Sequence, residues 1–404
     1  MGIQKITFKN TSGKALIGNL ELPTTRHPHN FVIFAHCFTC TKNIAAVRNI
    51  SRNLSHVGYG VLRFDFTGLG ESDGDFEDTN FTGNIDDLVA AADFLAIHHK
   101  APSLLIGHSL GGAAVLFAAS KIDSVKAVAT IGAPSQPTHV QHLLKNKLAE
   151  IAKIGHALVN IGGRDFMIKK QFVEDLQSKS LENIAADLRK AVLIMHAPQD
   201  TIVGIQNAEQ LYKALQHPKS FVSLDGADHL LSRKEDSEYA GRVIAGWASR
   251  YIEIPRQKDL KTAHQVLASI GDEKGYTTQL KAGNHYMTAD EPKQVGGNDF
   301  GPSPYELISA GLATCTAMTM KMYANRKAWE LHSIEVHTGH KKIHAQDCEN
   351  CESENTKIDI FERSIKIKGD LDEKQITRLM QIADKCPVHK TLHNTVVIKT
   401  KLLD

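Results

Sequence analysis

The sequence lacks the features that mark several large classes of protein. Lys and Arg exceed Asp and Glu by only 47 − 45 = 2 among 404 residues, so no strongly basic surface for nucleic acid or anionic lipid is expected. No apolar run approaches the roughly 18 residues of a membrane span, and residues 1–5 do not lead into an apolar secretory signal. Six cysteines are too few for a disulfide scaffold. We therefore expect a cytoplasmic protein with reduced thiols and with neither nucleic-acid nor membrane partners.

The composition and the hydrophobic pattern predict a globular α/β protein. Hydrophobic residues make up 42% of the chain and charged residues 23%, and 404 residues is about the length of two domains. In the first half, short apolar stretches such as 31–35 and 103–106 alternate with stretches of helical spacing such as 81–98. This alternation predicts a mostly parallel sheet with helices on both faces. Segment 134–189 interrupts it and predicts a small cap over the carboxyl edge of the sheet.

The alternation ends near residue 252. Segment 253–261 is polar and contains Pro255, as a linker often does. Beyond it, strands and helices follow without strand-helix-strand repetition, including a long helix from Pro304 and a last strand at 395–401. The sequence therefore predicts an α/β domain at 1–252, a linker at 253–261 and an α+β domain at 262–404.

A nucleophile motif lies where the predicted sheet meets a helix. Residues 107–111 read Gly-His-Ser-Leu-Gly, after the apolar strand 103–106 and before a stretch rich in small residues. A serine on a sharp strand-to-helix turn needs glycines on either side, because the strand and the helix approach closely there. The pattern predicts that Ser109 is a nucleophile.

A serine nucleophile needs a histidine base, and the histidine needs a carboxylate. His229 follows the predicted strand 221–224, and Asp200 lies in the turn after the predicted strand 191–195. Both positions are carboxyl ends of strands, where sites of open α/β sheets lie. Asp225 and Asp228 are rival acids, although their proximity to His229 in sequence would demand an awkward turn. Asp200 is the predicted acid.

Two backbone N–H groups must stabilise the oxyanion of such a site. One is predicted at Leu110, directly after the nucleophile. The other is predicted at Phe38, in the loop after strand 31–35. Three further histidines near these segments are expected to make structural hydrogen bonds rather than to catalyse, namely His36, His108 and His196.

With these residues and segment 63–74 (Arg-Phe-Asp-Phe-Thr-Gly-Leu-Gly-Glu-Ser-Asp-Gly), residues 1–252 resemble the α/β-hydrolase family. The resemblance carries over to Ser109, Asp200 and His229 individually. It implies ester or thioester hydrolysis by a serine hydrolase. Cys37 stands where esterases of this type usually carry glycine.

The second half contains two cysteines in distinctive settings. Cys315 lies in the long predicted helix that begins after 301–303 (Gly-Pro-Ser), and Cys386 is followed by Pro-Val-His. A proline directly after Cys386 suits a helix start, which would favour the thiolate, whereas a buried cysteine can also act as a small apolar residue. Residues 262–404 resemble the OsmC/Ohr family. The resemblance implies reduction of organic hydroperoxides, with Cys315 peroxidatic and Cys386 resolving, in an intertwined homodimer.

Supporting groups for these thiols differ from the family pattern. The usual glutamate position falls on Tyr305, with Glu306 as the next residue and the candidate supporting group. The preceding loop, 290–300, contains Lys293 but no arginine. Cys348 and Cys351 form one C-x-x-C pair four residues after His344, which is compatible with an exposed loop or with metal or redox use.

Three functions remain open at this point. The first is an esterase that cleaves short-chain carboxylic esters and uses its second domain to dimerise. The second is a bifunctional enzyme whose thiols also reduce organic hydroperoxides. The third is a thioesterase or a binding scaffold without turnover. We expect neither a metal nor a cofactor in any of them.

Overall fold

The computed structural model describes residues 2–144, 146–161, 163–255, 259–271, 275–344 and 357–403. Contacts divide the chain into two compact units, Met1–Asp259 and Leu260–Asp404. The division falls inside the segment predicted as a linker.

An eight-stranded sheet forms the centre of the first unit. Its spatial order is β1-β2-β4-β3-β5-β6-β9-β10. The first two strands pair antiparallel and β2 is antiparallel to β4, whereas all the other neighbours are parallel. The strands are β1 (Gly2–Lys9), β2 (Ala15–Leu22), β3 (Asn30–Ala35), β4 (Tyr59–Phe64), β5 (Pro102–His108), β6 (Ala127–Ile131), β9 (Ala191–His196) and β10 (Lys219–Ser223).

Helices cover both faces of this sheet, which explains why its central strands read as continuous apolar runs rather than alternating ones. Every residue of β3, β4, β5, β6 and β9 is buried. Two apolar clusters result, one on each face. The helices of the sheet are α1 (Ala45–His56), α2 (Phe81–His98), α3 (Leu110–Lys121), α7 (Gln206–Ala214) and α8 (Lys234–Ala248).

The insertion between β6 and β9 folds as short helices around a hairpin. A 3-10 segment at Pro137–Leu144 precedes the hairpin, whose strands pair antiparallel. Alternate residues of its first strand are buried, so one face of the hairpin packs against the rest of the unit. The other elements are α4 (Leu148–Ile154), β7 (His156–Ile161), β8 (Arg164–Lys169), α5 (Lys170–Gln177) and α6 (Leu181–Asp187).

The second unit is an α+β arrangement with a much smaller core. One antiparallel sheet has the order β11-β12-β13, and a long ribbon pairs β14 with β15. Its buried cluster contains six residues, Met320, Ala324, Leu331, Leu379, Ile382 and Ala383. The elements are β11 (Val266–Ile270), β12 (Thr278–Ala282), β13 (His285–Ala289), a 3-10 turn at Lys293–Val295, α9 (Pro304–Arg326), β14 (Glu330–His344), β15 (Lys357–Asp370), α10 (Glu373–Ala383) and α11 (Pro387–His393).

The final strand predicted at 395–401 is wrong for the single chain. These residues are described, but they belong to no strand and lie exposed. Val397 is 77% and Ile398 84% exposed. A strand needs a neighbour that satisfies its backbone groups, and neither sheet of the second unit supplies one here. None of the described helices is long and apolar enough to cross a membrane.

Candidate active site

Ser109 occupies a sharp turn between β5 and α3. Its φ of 56° and ψ of −127° lie in a region that non-glycine residues rarely adopt. The neighbouring glycines permit this turn. A Cβ on Gly107 would meet the Gly111 carbonyl oxygen at 2.3 Å, and one on Gly111 would meet the His36 carbonyl oxygen at 2.4 Å. The turn therefore holds the serine side chain at the carboxyl edge of the sheet.

A continuous hydrogen-bond chain joins the three residues predicted as nucleophile, base and acid. His229 Nδ1 lies 2.6 Å from Asp200 Oδ2, and His229 Nε2 lies 3.0 Å from Ser109 Oγ. Because a carboxylate only accepts, Nδ1 carries the proton and Nε2 is free to accept from the serine hydroxyl. The rival acids are engaged elsewhere. Asp225 accepts from the Ser223 hydroxyl and Asp228 from the Ser232 N–H.

The acid is held as a carboxylate. Burial alone would raise the pKa of Asp200, but hydrogen bonds from His229 and from the Val203 and Ile202 N–H groups hold it below its ordinary value. Gly132, after β6, has a φ of 56°, and a Cβ there would lie 3.3 Å from both Asp200 Oδ2 and His229 Nδ1. This glycine lets the backbone approach the acid-base pair, and the sequence analysis did not identify it.

Three buried histidines near the site make hydrogen bonds to backbone carbonyls, as expected of residues with a structural role. His36 Nδ1 bonds the Cys37 carbonyl, His108 Nε2 bonds the His229 carbonyl, and His196 Nε2 bonds the Val203 carbonyl. The second nitrogen of each ring is buried without a partner among the described residues. Burial, aided by the nearby His229, lowers the pKa of His108 to about 3, so its ring stays neutral.

Both residues predicted as oxyanion donors, Phe38 and Leu110, line one small cavity. The loop that carries Phe38 contains a feature that the sequence analysis predicted wrongly. Cys37 and Cys40 form a disulfide, so the expectation of reduced thiols fails for this pair. Between Phe38 and Cys40, Thr39 adopts a φ of 63°, which is unfavourable for a β-branched residue.

A buried ion pair holds the far end of this loop. Lys42 donates its backbone N–H to Asp65 Oδ1 at 2.7 Å and its ammonium to Asp65 Oδ2 and to Glu71 Oε2. Both Lys42 and Asp65 are almost completely buried. Hydrogen bonds from Lys42 and Lys5 lower the pKa of Glu71 to about 2. Lys42 was missed because a lysine in a polar stretch gives no sequence signal of burial.

The second unit brings Cys315 and Cys386 into contact. The two thiols lie close enough for each to shift the pKa of the other. Burial and the neighbouring Cys386 raise the pKa of the Cys315 thiol. Burial opposes ionisation of Cys386 as well, but hydrogen bonds from Cys315, the His389 N–H and Thr316 lower its pKa below the ordinary value. Cys386 is the N-cap of α11, and of the two it is the better placed to be a thiolate.

An arginine that the sequence analysis did not identify lies beside these thiols. Arg363, on β15, donates to the Thr316 hydroxyl at 2.9 Å, to the Ala383 carbonyl and to Asp384 Oδ1 at 2.7 Å. The Thr316 hydroxyl donates to the Leu312 carbonyl at 2.7 Å, and Thr316 is also one of the groups that lower the pKa of Cys386. The sequence analysis looked for an arginine only in the loop before α9, whereas Arg363 lies on a strand far along the chain.

Glu306 is not brought to the thiols. It closes a capping box at the start of α9, where its carboxylate accepts from the Ser303 N–H at 2.7 Å and the Ser303 hydroxyl accepts from the Glu306 N–H. Cys348 and Cys351 lie outside the described residues. In the described part of the chain, no three His, Cys, Asp or Glu side chains are grouped to hold a metal ion.

Comparison with known families divides the chain in two. A model described as the alpha/beta hydrolase family matches residues 32–295, and one described as OsmC-like protein matches residues 296–401. The first match runs past the contact boundary at residue 259, although β11, β12 and β13 form a sheet of their own within the second unit. The predicted fold class, a hydrolase fold followed by an α+β OsmC-like domain, is confirmed.

Individual relatives agree for the first unit. The esterase domain of a Rhodothermus marinus protein is 51% identical, with a TM-score of 0.53 over 62% of this chain and 99% of its own. An uncharacterized protein, YfhR of Salmonella typhimurium, is 25% identical over 56% of this chain and 74% of its own length. The mitochondrial palmitoyl-protein thioesterase ABHD10 of Mus musculus is 27% identical over 45% of this chain and 62% of its own length. These similarities support a hydrolase.

Proposed function

Because the chain belongs to the alpha/beta hydrolase family, we propose that it hydrolyses short-chain carboxylic esters through Ser109, His229 and Asp200. The observation that carries the proposal is the unbroken hydrogen-bond chain from the Asp200 carboxylate to the Ser109 hydroxyl. The distances and directions of these hydrogen bonds suit removal of the serine proton by His229 Nε2.

The reaction proceeds in two acyl-transfer steps. The Ser109 oxygen attacks the ester carbonyl while its proton passes to His229, whose imidazolium the Asp200 carboxylate stabilises. The Leu110 and Phe38 N–H groups bind the developing oxyanion. His229 then protonates the departing alcohol, and an acyl-enzyme remains. Water, deprotonated by His229, attacks the acyl-enzyme and releases the acid and the free serine.

Aromatic side chains beside the oxyanion loop support a small acyl group. Phe38 stacks on Phe172 of α5 at 5.3 Å and contacts Phe76 at 5.6 Å, and Phe76 in turn contacts Phe166 of β8 at 4.9 Å. These rings, two of them from the insertion at 134–189, narrow the space next to Phe38. A long acyl chain would have to displace them.

We propose that the second unit forms a homodimer with a second copy of this chain. Its apolar surface is large for its small core: Met318 is 64% and Met322 72% exposed on α9. Segment 395–401 belongs to no strand and exposes Val397 and Ile398 by 77% and 84%. Surfaces of this kind mark contact with another protein. The resemblance to the OsmC/Ohr family implies the same arrangement.

A second activity, reduction of organic hydroperoxides, is favoured by the contact between Cys315 and Cys386. A thiolate attacks the hydroperoxide oxygen, the O–O bond breaks, and an alcohol leaves while a sulfenic acid forms. The other thiol attacks that sulfur, which releases water and forms a disulfide. A small dithiol reduces the disulfide and is itself oxidised. Resemblance assigns the first attack to Cys315, whereas the hydrogen bonds favour a thiolate at Cys386.

The ester proposal is tested by turnover of p-nitrophenyl acetate, butyrate and decanoate and of matched acyl thioesters, in wild type and in Ser109→Ala. We expect ester turnover that falls with acyl length and disappears in the variant. Retained turnover in Ser109→Ala would overturn the proposal, and a preference for thioesters would make the chain a thioesterase. Cumene hydroperoxide with a dithiol, in Cys315→Ser and Cys386→Ser separately, tests the second activity.

A further inference from the structure

The Cys37–Cys40 disulfide encloses the residue proposed as the second oxyanion donor. The bond spans Phe38 and Thr39. Cys37, Phe38 and Leu110 line the same cavity beside the nucleophile turn. The only crosslink among the described residues therefore lies in the loop on which oxyanion stabilisation depends.

The loop is anchored at its two ends and crosslinked between them. At the first end it continues from β3, and His36 Nδ1 donates to the Cys37 carbonyl at 2.8 Å. At the far end Lys42 is fixed to Asp65 by its backbone and its ammonium. Between these anchors the Cys40 N–H donates to the Cys37 carbonyl at 3.1 Å, and the disulfide closes the same turn.

The backbone inside the turn needs support. Thr39 has a φ of 63°, a conformation that a β-branched residue leaves when nothing holds it. Its carbonyl accepts from the Arg164 guanidinium of β8, and the disulfide fixes both flanks. Reduction removes the crosslink between the two flanks, and the turn is then free to move the Phe38 N–H.

Stabilisation of the whole fold is a poor explanation for this crosslink. A disulfide that closes a loop of only four residues restricts the unfolded chain little. The disulfide instead constrains the local backbone conformation. Such a constraint matters because displacement of a catalytic group by about 1 Å can lower a rate by about 100-fold.

The two sulfurs differ in access. Cys37 is 4% exposed, whereas Cys40 is half-buried. An incoming thiolate therefore reaches Cys40 first. It forms a mixed disulfide with the Cys40 sulfur, and the electron pair of the broken bond goes to the Cys37 sulfur, which takes up a proton. The second thiol of the same reductant then releases Cys40 as a thiol, and the reductant leaves as its own disulfide.

We propose that Cys37 and Cys40 form a thiol-disulfide exchange site, reduced by small dithiols, whose oxidation state sets the rate of the hydrolase site. The proposal rests on the proposed ester hydrolysis. The oxidised form holds the Phe38 N–H in place and is the active form. The reduced form retains Ser109, His229 and Asp200 but loses one oxyanion donor.

The test uses the full chain with Cys315, Cys348, Cys351 and Cys386 all replaced by serine, so that only the pair in question responds. Turnover of p-nitrophenyl acetate is measured in the oxidised form and after dithiothreitol. Mass spectrometry after iodoacetamide counts the thiols. We expect two thiols to appear on reduction, kcat to fall 10- to 100-fold, and KM to change less than threefold. Reoxidation with diamide should restore kcat.

Cys40→Ser in the same background is the matched control and should show the low kcat under both conditions. If the serine background does not fold, wild type whose accessible thiols are alkylated before reduction replaces it. Two new thiols with unchanged or higher kcat would overturn the proposal, as would failure to gain any thiol. Loss of Ser109-dependent turnover in both redox forms would instead overturn the proposed ester hydrolysis.

Discussion

The two units hold their reactive groups in contrasting ways. In the first, Ser109, His229 and Asp200 come from three loops of one sheet. Buried His108 bonds the His229 carbonyl, and buried His196 bonds the Val203 carbonyl in the loop of Asp200. In the second, Cys315 and Cys386 lie on helices around a core of six buried residues. The three groups proposed for catalysis in the first unit meet within one chain, whereas helix α9 of the second unit leaves Met318 and Met322 exposed.

The contrast follows from the size of the cores. A sheet covered on both faces buries enough apolar area to hold strained residues such as Ser109 and buried ions such as Lys42. The second unit buries much less apolar area, and apolar side chains such as Met322 and Ile398 are left exposed. We infer that the hydrolase site depends on its own unit, while the thiol site depends on a second copy of the chain.

The largest expected effect abolishes one activity and leaves the other unchanged. Ser109→Ala should lower kcat for ester hydrolysis by about a millionfold, because the nucleophile acts as one unit with its base. Cumene hydroperoxide reduction, measured on the same preparation with a dithiol, should be unchanged within twofold. If peroxide reduction falls with ester hydrolysis, the two sites are not independent and the contrast fails.

Asp200→Asn should have the next largest effect. The amide cannot hold the His229 proton on Nδ1, so Nε2 no longer accepts from Ser109, and a loss of about 10,000-fold in kcat is expected. Asp225→Asn is the matched control and should retain kcat within threefold, since Asp225 bonds only Ser223 among the described contacts. An equal loss in both variants would mean that Asp200 is not the acid.

The dependence of the second unit on another copy is tested at its C-terminal segment. Val397→Asp combined with Ile398→Asp places two charges on side chains that dimerisation would bury. The dissociation constant of the dimer, from analytical ultracentrifugation, should rise at least about 100-fold. Ester kcat should stay within twofold. Thr395→Asp combined with Thr400→Asp adds the same two negative charges and controls for charge alone. A wild type that is monomeric at micromolar concentration would remove the proposed dimer.

Sequence reasoning found the parts of the first site that follow from local rules. Ser109, Asp200 and His229 each follow a strand, and the strands of a parallel sheet end at one edge. Asp200 was ranked above Asp225 and Asp228 because residues so near His229 in sequence would demand an awkward turn. The glycines on either side of Ser109 could be read because the turn excludes a Cβ.

The features that were missed depend mostly on contacts between residues that are far apart in the sequence. Lys42 is buried only because Asp65 and Glu71 arrive from another loop, and Arg363 reaches Thr316 from a strand 47 residues away. The disulfide was missed because a low count of cysteines was taken to mean reduced thiols. The strand predicted at 395–401 is wrong because no strand among the described residues pairs with this segment.

The smallest expected effect concerns the pH dependence of the first unit. His108 is fully buried, and its pKa is about 3 against a model-peptide value of 6.5. Between pH 6.5 and 3 the unfolded chain therefore binds a proton that the folded chain does not. The free energy of unfolding must fall as the pH falls through this window, by about 2 kcal/mol between pH 7 and pH 5 for this residue.

His108→Gln should remove that part of the pH dependence while keeping an N–H donor for the His229 carbonyl. Urea unfolding is followed by Trp247 fluorescence in a Trp329→Phe background, which leaves one tryptophan and confines the signal to the first unit. His98→Gln, at an exposed helix end, is the matched control and should keep the wild-type slope. If His108→Gln keeps that slope too, the histidine binds its proton in the folded chain as readily as in the unfolded chain, and burial does not hold the ring beside His229 neutral.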